Sequence, residues 1–104
     1  MALPEDASCP KLRILCIDDE PLLRELLEQV LEGHGHDVAL AEDGKHGVSA
    51  FHRAQAEKKP FDVVITDLGM PGLDGLGVAQ EIKARSPRTP IVLLTGWGVS
   101  LIHI

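Results

Sequence analysis

The chain has 104 residues, 44% hydrophobic and 25% charged, with a net charge of −6. These figures fit one compact domain and exclude a second. The acidic balance and the lack of a basic stripe argue against nonspecific nucleic-acid binding. An aromatic content of 3% argues against stacking on bases, and no apolar run approaches the length of a bilayer span. The opening "MALPEDASCPK" has acids and a proline where a signal peptide needs a basic start and an apolar core, so a cytoplasmic protein is expected. Cys9 and Cys16 are too few for a disulfide framework, and Cys16, inside an apolar run, reads as a small buried hydrophobe.

Residues 1–10 read as a loose leader. "LRILCI", Leu12 to Ile17, is a short apolar run that stops at Asp18 and Asp19, the pattern of a buried strand. Leu22, Leu23, Leu26, Leu27, Val30 and Leu31 then form the stripe of an amphipathic helix, with Pro21 in its first turn and Gly33 or Gly35 at its end. Asp37 to Ala41 is a weaker strand. Gly44 to Lys58 carries Val48, Phe51 and Ala54 at helical spacing and finishes in basic residues, as a helix C-terminus prefers. Val63 to Thr66 is a third strand. From Asp74, the residues Leu76, Val78, Ala79 and Ile82 make another helix face, ending near Ser86-Pro87, and "PIVLLT", Pro90 to Thr95, is a fourth strand. Strands alternating with helices mean βαβ units and a parallel sheet, which the continuous apolar runs suggest is covered on both faces.

In a parallel sheet all strand C-termini lie at one edge, where ligands bind. That edge collects Asp18 and Asp19 from the first strand, Asp67 from the third and Thr95 from the fourth. Singly, each has an ordinary explanation: Asp19 as the cap of the helix opening at Pro21, Asp67 as the start of a turn, Thr95 as a plain strand residue. Their coincidence at one edge favours a site. Clustered carboxylates repel unless a cation joins them, and Mg²⁺ suits oxygen ligands beside phosphate.

Asp18-Asp19 after the first strand, Asp67 with "MPGLDG" after the third and Thr95 after the fourth resemble the receiver domain of bacterial response regulators. The resemblance covers residues 11–95. It implies an α/β, flavodoxin-like (CheY-like) doubly wound parallel sheet and a phosphoacceptor module of a two-component system. Asp67 is the implied acceptor, taking a phosphoryl group from a histidine kinase or phosphotransfer protein. Asp18 and Asp19, with Asp67 and the backbone carbonyl of Gly69, are the implied Mg²⁺ ligands. Thr95 is implied to turn its hydroxyl to the phosphoryl oxygens, while Met70-Pro71 and Gly75 shape the adjoining loop. No substrate turnover is expected.

The resemblance breaks after Thr95, where only "GWGVSLIHI" follows. The usual fourth helix, fifth strand and fifth helix are missing in cis, and so is the phosphate-contacting lysine, since Lys45, Lys58, Lys59 and Lys83 fall at positions that do not match. Five residues cannot make a parallel crossover from Thr95 to Leu101. The tail is left to run over the surface, form a helical turn, fold back over the strand 90–95 edge or pair with another copy. An open apolar edge there predicts a homodimer through that edge or through an exchanged tail of residues 96–104 that includes Trp97. His103 is a weak substitute for the lysine. His34 and His36 read as turn residues rather than a metal pair, and His46 and His52 as exposed helix residues. Three alternatives stay open: a degenerate receiver that acts only by protein contact, a small phosphatase using Asp67 as nucleophile, and a nucleotide binder built on "GMPGLDG". The phosphatase lacks a second acid at Gly69, and the nucleotide binder lacks the G-x-G-x-x-G order.

Overall fold

The computed structural model describes residues 10–95 and the backbone of residues 98–101; the leader to residue 9, Trp97 and His103 lie outside the described residues. The elements are β1 (Arg13–Ile17), α1 (Pro21–Gly33), β2 (Asp37–Ala41), α2 (Gly44–Ala56), β3 (Val63–Asp67), α3 (Gly75–Arg85), β4 (Ile91–Thr95) and β5 (Gly98–Leu101). Local chemistry sets most boundaries. Pro21 opens α1, where its missing N–H costs no hydrogen bond. Asp43 and Asp74 cap α2 and α3, accepting from the backbone N–H of His46 and Gly77, each at 2.8 Å. The second helix ends at Ala56, with Arg53 in its last turn, so Lys58 and Lys59 lie beyond it.

The strands form one sheet in the order β2-β1-β3-β4-β5. The pairs β1–β2, β1–β3 and β3–β4 are parallel. The chain moves one way from β1 to β2 and the other way from β2 to β3 and on to β4. Because such crossovers are right-handed, α1 falls on one face and α2 and α3 on the other. The α2/α3 face holds the main core: Leu15, Ile17, Phe51, Val64, Val78, Ala79, Ile82, Ile91 and Leu93 are all buried.

Two expectations need correction. The sheet is not covered equally on both faces. Burial alternates along β3 and β4, and Val63, Ile65, Val92 and Leu94 are only half-buried. The cause is that, among the described residues, α1 is the one helix on that side, and it packs against β1 and β2. Nor is the outer edge of β4 open. Residues 98–101 return antiparallel along it, Thr95 opposite Gly98 and Val92 opposite Leu101. The crossover limit excludes a parallel return only. An antiparallel partner needs no more than a two-residue connection. Among the described residues, no helix is long and apolar enough to cross a membrane.

Candidate functional site

The first, third and fourth strands end side by side, so the residues at their C-termini share one rim. Asp18 follows β1 and is 1% exposed. Its backbone N–H donates to the Ala41 carbonyl (3.1 Å), its Oδ1 accepts from the Glu20 N–H (2.8 Å), and its carbonyl accepts from Arg24 Nη1 (2.6 Å). Its Oδ2 is buried with no hydrogen-bond partner. Asp67 closes β3, half-buried, and its Oδ1 receives the Gly69 N–H at 3.4 Å. Asp19 is exposed. One carboxylate oxygen from each of Asp18, Asp19 and Asp67 lies within 4.8 Å of the others.

The capping explanation of Asp19 does not hold, since Glu20 occupies the α1 N-cap and no side chain caps that helix. Thr95 closes β4 beside this rim and pairs with Gly98 in the sheet. The loop from Leu68 to Asp74 is tied down at three points. Leu68 N–H donates to the Leu94 carbonyl (2.9 Å), Gly75 N–H donates to the Leu68 carbonyl (3.1 Å), and Met70 is buried in the core. Burial is the main cause that pushes the Asp18 pKa up; the Glu20 N–H opposes it, and the charges of Asp67 and Asp19 reinforce it.

A buried carboxylate oxygen left without a donor, on a residue grouped with two further carboxylates, is relieved by a proton or by a cation. The donor set is all oxygen, which suits Mg²⁺. Two lysines are engaged elsewhere: Lys83 Nζ donates to the Pro87 carbonyl, and Lys11 pairs with Asp37 at the other end of the sheet. His34 bonds the Val30 carbonyl and His36 accepts from the Leu12 N–H, so neither belongs to a metal pair. His52 is half-buried with its ring edge to Phe51, contrary to the exposed position expected.

Sequence reasoning missed a second group. Glu42, Asp43 and His46 also bring one ligand atom each within 4.8 Å of the others. Its arrangement is that of a cap: Asp43 Oδ1 takes the His46 backbone N–H and lies 2.8 Å from His46 Nδ1. An Asx residue just before the helix at Gly44 was the available signal.

The family profile described as the response regulator receiver domain matches residues 14–102. The chain belongs to this family. Among curated relatives, the probable transcriptional regulator ycf27 of Guillardia theta is 42% identical over 88 residues, 85% of this chain and 32% of that protein. The chain spans about a fifth to a third of the length of the curated relatives it matches. Two solved structures are similar. Response regulator TrrA of Thermotoga maritima in complex with Mg²⁺-BeF is 40% identical, with a TM-score of 0.72, covering 81% of this chain and 69% of that one. TrrA in complex with histidine kinase ThkA is 39% identical, with a TM-score of 0.73, covering 84% and 71%. The fold is therefore the CheY-like one, and the chain is a receiver of two-component response regulators.

Proposed function

We propose that this receiver takes a phosphoryl group on Asp67 from a phosphohistidine, with Mg²⁺ held by Asp18, Asp19, Asp67 and the Gly69 carbonyl. The observation that carries the reading is the acid group with its unpartnered Asp18 Oδ2. The similar TrrA structure with Mg²⁺-BeF supports the metal. An Oδ of Asp67 attacks phosphorus, the P–N bond to the donor imidazole breaks, and its electron pair returns to that nitrogen, which takes a proton from solvent. Held by these residues, Mg²⁺ would supply charge neutralisation for the carboxylates and the transferring phosphoryl group. The Gly69 N–H makes only a long contact to Asp67 Oδ1, 3.4 Å, so the paired ends of β1 and β3 are what keep the acids in place. In this reading Thr95, which ends β4 on the same rim, turns its hydroxyl to the phosphoryl oxygens once Asp67 is modified. The domain turns over no free substrate, and it works in the cytoplasm, where kinase and acceptor meet.

The donor docks beside Asp67. Leu22, in the first turn after Asp18-Asp19, is 80% exposed; Leu26 and Val30, one and two turns on, are 54% and 49% exposed. Such a ridge at the rim of the acid site fits an apolar helical surface, and the ThkA–TrrA complex supports a histidine kinase as the partner.

Intact-mass spectrometry with Mg²⁺ and acetyl phosphate tests the reading, beside Asp67→Asn. A phosphoryl adduct in the parent protein, absent from Asp67→Asn, is expected. No adduct under conditions where Mg²⁺ binds leaves the receiver as a protein-contact module.

A further inference from the structure

The proposed metal site draws its carboxylates from the ends of β1 and β3, which pair in the sheet, and its backbone ligand, the Gly69 carbonyl, from the loop between Leu68 and Asp74. The sheet fixes β1 against β3, but the loop needs its own anchor to β1, and the first turn of α2 touches both. A Cβ placed on Gly44 runs into the backbone oxygen of Leu73, with the Leu73 Cβ at 2.9 Å and Val78 Cγ2 at 3.0 Å. A Cβ on Gly47 runs into Ile17 Cδ1, with Cγ1 at 2.7 Å. Ile17 immediately precedes Asp18, and Leu73 lies in the loop that holds Gly69. Both glycines are buried. A third link ties the same turn to the same carboxylate, since α2 follows Ala41, whose carbonyl accepts from the Asp18 N–H.

We propose that Gly44 and Gly47 are positioning residues for the metal site: by having no side chain, they let α2 seat directly on Ile17 and Leu73 and so set the distance between Asp18 and the loop that carries the Gly69 carbonyl. This rests on reading the acids as a Mg²⁺ site. At Gly44 the obstacle is backbone, which no rotamer change can remove. Either α2 or the loop moves, and each shift alters the distance from the acids to the Gly69 carbonyl. At Gly47 the obstacle is the end of the Ile17 side chain, so the strain passes to the residue next to Asp18. The buried, unpartnered Asp18 Oδ2 has no other group to compensate for a displaced cation.

Isothermal calorimetry with Mg²⁺ on Gly44→Ala and Gly47→Ala tests this, at a temperature where circular dichroism shows each variant folded. The expected result is Mg²⁺ binding weaker by about ten-fold or more, the usual scale for disturbing groups behind a metal's ligands. Adding Ile17→Val to Gly47→Ala removes the nearest obstructing atom and recovers part of the loss. Two controls keep parent affinity. Gly33→Ala meets nothing within 4 Å, and Ile82→Ala lowers stability away from the site. If Gly44→Ala does not fold, the Gly47→Ala pair with and without Ile17→Val decides. Unchanged Mg²⁺ affinity in the folded glycine variants, with only the melting temperature lowered, overturns the positioning role and leaves the metal site standing. A parent protein that binds no Mg²⁺ overturns both.

Discussion

Asp18 is a carboxylate that the fold does not favour by itself. Burial raises its pKa, opposed by the Glu20 N–H and reinforced by Asp67 and Asp19. A raised carboxyl pKa means that its contribution to stability is present below the unfolded value and lost as pH rises through the folded one. In the absence of divalent cations, Asp18→Asn should therefore raise the melting temperature at pH 7 by several degrees, and by little near pH 3. With saturating Mg²⁺ the order should reverse, because only the parent gains stability by binding. Calorimetric scans at both pH values, with and without Mg²⁺, check this. Asp43 has the opposite sign. The His46 backbone N–H, chiefly, lowers its pKa, so the stability it adds is present above the usual carboxyl range and is lost as pH falls through the lowered value. Which acids would meet was legible in the sequence, because a parallel strand delivers whatever follows it to one rim. That Asp18 alone would be buried with an unpartnered oxygen was not, since it depends on Arg24, Glu20 and Ala41 closing around its backbone.

Among the helices, burial follows the sheet rather than the apolar stripe. In α3, Val78, Ala79 and Ile82 are fully buried, whereas α1, with a longer stripe, buries none of its residues completely. Periodicity identifies an apolar arc but not which part of it meets a neighbour, so the stripe of α1 gave no warning that Leu22, Leu26 and Val30 would be exposed. Urea unfolding should separate the two cases. Ile82→Ala is expected to cost about 2–5 kcal/mol, and Leu26→Ala to stay within about 0.5 kcal/mol. Leu26→Lys should be equally mild for stability yet slow phosphotransfer from a kinase, as radiolabel transfer would show. Asp74→Ala, which removes the α3 cap, is expected to cost about 1 kcal/mol in the same unfolding experiment.

For the whole molecule, the parallel βαβ core was legible in the alternation of strands and helices, the doubly wound arrangement was implied by the resemblance, and the structure has both. The tail did not follow. "IVLLT" and "GVSL" flank Gly96-Trp97, and a two-residue connection beginning with glycine is a hairpin signal. Reading every strand as parallel hid it. With β5 in place, the β4 edge that pointed to a homodimer is already paired. A chain shortened to end at Thr95 should expose it, and light scattering should then show association that grows with concentration and exceeds that of the longer chain.

The β4–β5 hairpin also bears on the order in which the molecule forms. Each parallel pair closes over an intervening helix, so its strands must find one another across a long stretch of chain before any contact rewards the search. The hairpin joins neighbours in sequence, and such units close in about 1–10 μs. The segment IVLLT can therefore carry its own partner before it reaches β3. The sheet then receives its last strand as a ready-made ribbon, with the edge most exposed to a neighbouring nascent chain already occupied.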